Sequence, residues 1–488
     1  MLRFAHLGSQ SLWIDEVFTW QSAGIGTRLS VADLLQNVHG PLFALIEHSW
    51  CAMAGGSESA LRTPSALFGV ATVPALAWLS GRWLGRETVP WAAWLAACSP
   101  FMVWYSQEAR PYALLMLWVC LSGALMLEAA RGLRRSTPLA YALCALAGLW
   151  SATGFAMALP LHARWWLADP LRRRGRLIAG ALLIAILALL ALPWLPQAVS
   201  TFAWHRLAPG RHAEVGETAL RGATTFHLAA LPYALHVFAV GYTLGPSPRE
   251  LRADPSAATL RRHAPGIALT AVAFGALAIA GVRALRRRRR LLDAALWVGL
   301  PIALVSWFAL TNFKVFHPRY LALCVPALLA MSAAALADLA PRAKWLMAGA
   351  VGALWALSLA HHYADPRDQK EDHRGAAALV RSRAVAGERA LGVNCADLLE
   401  YYSPAPAVLD TFWLGYAVDS LKLEEKLGAA MARAPGVWVV LSRSEDLDPA
   451  GRFARRMDAK YPDAERYAFT GVRVWHVRRG AVTTAPRP

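Results

Sequence analysis

Ten stretches of this chain are apolar over about 15 to 20 residues, more than the core of a soluble protein could bury. They run near 64–81, 89–105, 111–130, 138–152, 154–168, 177–196, 265–282, 292–310, 320–339 and 345–361. A helix needs about 20 mainly apolar residues to cross the hydrocarbon layer. In lipid every backbone polar group must be satisfied within the protein, so each stretch is expected to be helical. The sequence therefore predicts a polytopic α-helical membrane protein with about ten spans. Composition agrees, since 56% of the 488 residues are hydrophobic. Pro111 suits the first turn of its helix, where its missing N–H is not needed.

The net charge of +18 does not point to nucleic acid. The basic residues are mostly arginines in short clusters between apolar runs: Arg82/Arg86, Arg131/Arg134/Arg135, Arg172 to Arg176, Arg283 to Arg290, and Arg342/Lys344. Each cluster follows every second span, the pattern of cytoplasmic loops. The opposite connections, 1–63, 106–110, 197–264, 311–318 and everything beyond 362, are then outside. This parity places Met1 outside and raises the expectation of one further span upstream of it. The 21 tryptophans suit interfacial belts and a packed bundle. The six cysteines show no CxxC spacing, and four of them lie inside apolar runs, so no disulfide framework or zinc site is expected.

The chain divides at about residue 363. Residues 1–363 read as the membrane domain, with outer loops 1–63 and 197–264. Within the first loop, Ser30 and Asp33 form a capping-box-like helix start. Pro41 to Ala54 is apolar but carries Glu47 and His48 and is too short to span, so it is expected to lie along the outer surface. In the second loop, residues 225–245 are apolar and aromatic, with a re-entrant or interfacial course. Residues 364–488 read as a small extracytoplasmic α/β domain. Its strand candidates are Ala390 to Asn394, Val437 to Leu441 and Val472 to Val477. Its helix candidates are His373 to Val385 and Ser420 to Ala434. It holds no GxGxxG, P-loop or HExxH, and the chain shows no internal repeat.

Ionisable groups at membrane depth are expensive and usually functional. Asp15-Glu16 is an acidic pair flanked by Leu12-Trp13 and Val17-Phe18. Neighbouring side chains on a helix diverge by about 100°, so one of the two is expected to face a shared site. An acidic helix start favoured by the dipole is the structural alternative. Gln107-Glu108-Ala109-Arg110-Pro111-Tyr112 lies on the same side. There Glu108 either orients a polar ligand or caps a helix. Arg110 either grips an anion with its two-pronged guanidinium or anchors at the interface. A third cluster, Asn312 to Tyr320, offers Lys314, His317 and Arg319 to a lipid phosphate, or places them as side chains reaching out from a span end. Arg62 has the same two readings. His361-His362 lack a partner carboxylate and are read as interface residues rather than metal ligands.

The ordered motifs have a family likeness. Ser11-Leu12-Trp13-Ile14-Asp15-Glu16 is followed by His39-Gly40-Pro41-Leu42-Phe43 and Arg62-Thr63-Pro64-Ser65. Then come Ser99-Pro100-Phe101, Tyr105 to Tyr112, and Pro318-Arg319-Tyr320. This resembles the membrane glycosyltransferases of the GT-C superfold, in particular the bacterial family 39 type related to protein O-mannosyltransferases and to the lipid A aminoarabinose transferase. The likeness is dense over 9–125, looser over 223–246 and 315–330, and touches Asp368 to Gly375. In that family a first transmembrane helix precedes the acidic loop.

The resemblance implies a hexosyl or pentosyl transferase of the bacterial inner membrane. Its donor would be a sugar on a polyprenyl phosphate, and its acceptor a hydroxyl of a lipid, polysaccharide or protein on the outer face. It implies an inverting single displacement. The catalytic set would be Asp15 as general base, Glu16 as the alternative holder of that role, and Glu108 holding hydroxyls. The donor phosphate would meet Arg110, Lys314 and Arg319. Arg62, His39, Tyr112 and Gln107 would line the substrate. No cofactor is required; a divalent metal between carboxylates is compatible with the chemistry but nothing calls for it. Two other classes compete: a transporter or flippase of a lipid-linked sugar, and a non-catalytic scaffold. Transporters usually place polar groups at mid-membrane in repeated halves, whereas these motifs gather at one surface.

Overall fold

The computed structural model describes residues 1–25, 29–35, 40–132, 136–168, 173–194, 226, 229–254, 256–311, 316–402, 407–412, 420–443 and 451–478. Six of its helices are long and apolar enough to cross a membrane: Glu58–Trp83, Tyr112–Arg131, Ala264–Arg287, Leu291–Leu310, Pro318–Asp338 and Pro341–Ala364. Thr137–Ser151, Gly175–Leu190 and Ala230–Val240 are apolar but shorter. Helices α4 (Glu58–Trp83) and α7 (Tyr112–Arg131) form the centre of the bundle. The lipid-type surface is carried by others, including α10 (Arg173–Ala191), where Ile178, Leu182, Ile184 and Leu189 are exposed.

Two expected spans differ. The 89–105 stretch is broken into α5 (Val89–Cys98) and α6 (Pro100–Ser106). Pro100 cannot donate to the preceding turn, and Ser99 instead turns its hydroxyl to accept from the Met102 N–H. The 154–168 stretch is not one continuous helix, although it runs from the Gly40 end of the bundle back to the arginine end, where Arg176 donates to the Trp166 carbonyl. It is a tight turn at Thr153–Ala158 followed by α9 (Leu159–Trp166), whose eight residues extend only about 12 Å. Its predecessor α8 (Thr137–Ser151) closes near Gly40.

All five basic clusters have described residues at one end of the bundle, as the sequence parity demands. Arg131 donates to the Arg82 carbonyl (2.7 Å) and Arg176 to the Ala130 carbonyl (2.6 Å). Arg288 donates to the Leu84 carbonyl (2.7 Å) and pairs with Asp338 (2.7 Å) and Glu87 (2.9 Å). Asp338 in turn ends the helix just before Arg342 and Lys344. The acidic motif lies at the other end.

At that other end the chain start is woven into the bundle. Arg3 is buried, and its guanidinium donates to the Ala96 (2.7 Å) and Ala97 (3.0 Å) carbonyls, satisfying the open end of α5. It also donates to the Ser106 hydroxyl (3.2 Å). Helix α1 is Ile14–Ser22, and α2 (Val31–Leu35) starts at Ser30, whose hydroxyl and N–H meet Asp33 as the sequence predicts. Helix α3 (Pro41–Ala54) buries Phe43 and Cys51 and exposes Leu45 and Met53, an amphipathic pattern suited to a surface helix. Gly40 opens it at φ +110°, where a Cβ would strike the Trp150 carbonyl, so only glycine fits.

The C-terminal part is a five-stranded sheet, β1 (Arg389–Val393), β2 (Val408–Phe412), β3 (Gly436–Ser442), β4 (Glu465–Phe469) and β5 (Val472–Arg478), ordered β2-β1-β3-β5-β4. The β2, β1 and β3 strands are parallel, and β5 and β4 run antiparallel. Central β3 is buried along its whole length, which explains its unbroken apolar run. Helices His373–Arg383 and Ala396–Tyr402 cover the face turned to the membrane domain. Their Ala376, Val380, Leu398 and Leu399 share one core with Leu12, Val17 and Leu61.

Gly69 tests this packing. A Cβ there would run into the Ser106 hydroxyl that also receives Arg3. Gly69→Leu is expected to destabilise the protein by about 1–3 kcal/mol through overpacking. Thermal unfolding in detergent, compared with Gly349→Leu where a Cβ meets open space, is the check.

Candidate functional site

The acidic pair sits where α1 begins, and its two side chains diverge as the helical spacing requires. Glu16 points inward and is completely buried. Arg62 of α4 donates to both its oxygens, Nε to Oε1 (2.8 Å) and Nη2 to Oε2 (2.8 Å). The Ala109 N–H donates to Oε1 (3.0 Å) and the Lys370 ammonium to Oε2 (3.1 Å). Arg62 spends its other three N–H groups on the carbonyls of Leu7 (2.9 Å), Gln10 (2.8 Å) and Ser11 (2.9 Å). All five guanidinium donors are therefore engaged. The structure thus places Arg62 and Glu16 in a buried brace between α4, α1 and the chain start.

Asp15 points away from Glu16, towards Arg319 in the turn that starts at Pro318. Arg319 donates to its carboxylate at 2.8 Å, with both side chains partly exposed. Arg110 donates to the Asp15 carbonyl (2.8 Å) and to the Thr19 hydroxyl (3.2 Å). Burial raises the Asp15 carboxyl, but the charges of Arg319, Arg110 and Arg443 outweigh it and hold the group below the usual range. The Arg319 guanidinium lies over the Trp13 ring (5.4 Å) and the Tyr320 ring (5.2 Å).

Glu108 is buried behind this centre. Trp104 Nε1 donates to its Oε1 (2.9 Å), and Lys370 stands 3.7 Å from the same oxygen. Burial raises its affinity for a proton; Lys370 opposes this and the Glu16 charge reinforces it, leaving Glu108 above the ordinary range. Gln107 stitches the chain start, its amide donating to the Leu2, Arg3 and Ala5 carbonyls and its oxygen meeting His362 Nε2 at 2.8 Å. Tyr112 is buried edge-on against Tyr105 at 5.1 Å. Of the residues expected to line the substrate, Gln107 is tied to the chain start and borders the cleft beside the site, and Tyr112 is packed against Tyr105. His39 and Lys314 lie outside the described residues. Among the described residues no group of three or more metal-type ligands comes together.

Comparison with known proteins bears on this arrangement. Residues 38–196 match the family described as dolichyl-phosphate-mannose-protein mannosyltransferase. ArnT from Cupriavidus metallidurans in the apo state superposes with a TM-score of 0.58 at 14% identity, covering 99% of this chain and 97% of that one. ArnT bound to undecaprenyl phosphate gives the same values. The oligosaccharyltransferase AglB from Archaeoglobus fulgidus, in complex with an inhibitory peptide and a dolichol-phosphate, has a TM-score of 0.55 at 13% identity, with 98% and 71% coverage. No curated protein matches the sequence. The chain has the GT-C membrane glycosyltransferase fold.

Within this GT-C fold, the sequence reading missed what the C-terminal domain contributes. Lys370 bridges Glu16 and Glu108, and Arg443, at the end of β3 with φ +53°, adds positive charge near Asp15. Ser11 meets Asp372 (3.1 Å), Leu12 N–H donates to Tyr402 (2.7 Å), and Tyr402 donates to Glu58 (2.9 Å). Lys370 lies in the Asp368–Gly375 segment that carries part of the family likeness, which was its one signal. Nothing in the sequence marks Arg443.

The Arg62–Glu16 brace makes a signed prediction. Removing one partner of a buried pair strands the other charge, so Arg62→Ala is expected to lose about 3–5 kcal/mol, read by thermal unfolding. The Glu16 carboxyl is depressed to about 2 in the folded chain, because Arg62, Lys370 and the Ala109 N–H outweigh burial. A depressed acid stabilises fully above its unfolded value of about 4.3 and loses that stabilisation as the pH falls towards 2. Glu108, raised, runs the opposite way and weakens the fold as the pH rises through its value. Glu16→Gln is expected to flatten the acid limb of the stability–pH curve.

Proposed function

We propose that the protein transfers a sugar from a polyprenyl-phosphate donor to an acceptor hydroxyl by a single inverting displacement, in a bacterial inner membrane. The reading is carried by one observation: a partly exposed carboxylate, Asp15, meets Arg319 at 2.8 Å beside Arg110, at one end of the bundle. The family match and the neighbours' lipid phosphates support it.

In this reading Asp15 removes the acceptor hydroxyl proton while that oxygen attacks the anomeric carbon. The bond from that carbon to the phosphate oxygen breaks, and the lipid phosphate leaves as an anion. Such a leaving group needs positive charge rather than a proton, and Arg319 and Arg110 supply it. Lys314 and His39 are proposed to add to the donor and substrate contacts. Arg319 also has a second task. With no donor present it pairs with Asp15 and keeps that carboxylate a weak base. An arriving phosphate competes for the same guanidinium, so Asp15 gains basicity when the donor is in place.

The positive-inside rule puts the arginine-rich end in the cytoplasm, and so the site and the C-terminal domain outside. A transporter would need its polar groups near mid-membrane, and no observation favours that reading.

Purified protein is incubated with lipid-linked sugar extracted from bacterial membranes, and products are followed by mass spectrometry. Asp15→Asn is expected to lower transfer by about 10²–10⁴-fold with an unchanged melting temperature. Arg319→Ala is expected to weaken donor use most. Undiminished transfer by Asp15→Asn, or movement of lipid-linked sugar across vesicles without product, would overturn the reading.

A further inference from the structure

At the arginine end of the bundle, four guanidiniums from four different elements converge. Arg82 closes α4, Arg131 closes α7, Arg164 lies on α9, and Arg290 directly precedes the apolar helix Leu291–Leu310. Three of these positions are ends of membrane-length helices, so the group stands at the depth of lipid headgroups.

Two carboxylates stand among the four. Asp293 accepts from Arg164 Nε (2.8 Å), Arg290 Nη1 (3.3 Å) and Trp83 Nε1 (3.0 Å). Glu128 pairs with Arg82 (2.6 Å). Arg131 forms no ion pair among the described residues; its Nη2 donates to the Arg82 carbonyl at 2.7 Å. It is close enough to Arg290 and Arg82 to be repelled by both, with Glu128 the one nearby attraction. The cluster therefore carries an excess of two positive charges among the described residues.

The two signs are also turned in opposite directions. Asp293 is completely buried and held from within by the Trp83 indole, while Arg82, Arg164 and Arg290 are 32–39% exposed. An anion arriving from outside meets the cations first. A guanidinium fork matches phosphate oxygens, and basic groups between helix ends are suited to lipid headgroups.

Apolar surface continues from the cluster on two sides. Leu291 and Leu292 directly follow Arg290 and are exposed, and Trp307 and Leu310 are exposed further along the same helix. Leu177 and Ile178, also exposed, directly follow Arg176, which donates to the Ala130 carbonyl beside Arg131. A free anion would use the arginines alone. A lipid uses the arginines and the apolar faces together, and this continuity favours a lipid.

We propose that Arg82, Arg131, Arg164 and Arg290 form a binding site for the phosphate of an anionic phospholipid, whose acyl chains lie along the exposed apolar faces beside it. The site is remote from Asp15 and independent of the transferase reading. A bound headgroup ties the ends of α4, α7, α9 and Leu291–Leu310 together.

Full-length protein in detergent and about 0.15 M ammonium acetate is titrated with phosphatidylglycerol and with phosphatidylethanolamine of the same acyl chains. Bound lipid is read by native mass spectrometry, and folding by melting temperature. Phosphatidylglycerol is expected to saturate at lower concentration than phosphatidylethanolamine. Arg131→Gln and Arg290→Gln are each expected to weaken it about fivefold. Arg86→Gln and Arg342→Gln, exposed at the same end on other elements, are expected to leave it unchanged. If Arg290→Gln lowers the melting temperature by loosening Asp293, Arg131→Gln decides alone, because it leaves both carboxylates paired. Equal binding of the two lipids overturns the site. So does an equal loss in the Arg86 and Arg342 variants, which would mean general surface charge. Displacement of phosphatidylglycerol by an equal concentration of inorganic phosphate would show a free-anion site and overturn the lipid.

Discussion

The fully engaged guanidinium of Arg62 is the contact on which the rest of the site depends. One side chain from a membrane helix grips both oxygens of Glu16 and three carbonyls of the chain start, those of Leu7, Gln10 and Ser11. A buried ion pair stabilises only when its remaining hydrogen-bonding groups are also met, and here they are. The result is that α1 can leave in one direction only. Since neighbouring helical side chains diverge, fixing Glu16 inward turns Asp15 away from it, to its contact with Arg319.

The division of labour between adjacent acids follows from environment rather than residue type. Glu16 meets two cations and a backbone donor out of water and is used up in structure. Asp15 meets one arginine at a partly open surface, so its partner can be exchanged for another anion. Glu108, a few ångströms from Lys370, has a carboxyl oxygen left over. Of three carboxyl groups in one small region, two are thus held below the ordinary range and one above it, the separation that acid–base chemistry exploits.

Much of this was legible in the sequence. The apolar helical bundle, the gathering of the arginine clusters at one end of it, the strands β1, β3 and β5 and the approach of Arg110 to Asp15 follow from hydropathy, charge parity and motif order. What was not legible has identifiable causes. The 154–168 stretch is divided into a 3-10 turn and a short helix, a break that hydropathy does not register. Strand β4 alternates between half-buried and exposed residues, and β2 carries Asp410 and Thr411 mid-strand, so neither stands out from loop composition. The role of Arg62 depends on which carbonyls come within reach, and that of Lys370 on the docking of a domain more than 350 residues away. Neither is a property of local sequence.

The two ends of the bundle are held by different physics. The Arg62–Glu16 brace at the site end is shut away from water, so dissolved ions screen it weakly. The opposite end is joined by arginines such as Arg288, whose partners Glu87 and Asp338 reach solvent. Ionic strength therefore acts on the molecule unevenly: concentrated electrolyte relaxes the arginine-bound loops while the reactive end keeps its shape, so stiffness is graded along the bundle axis.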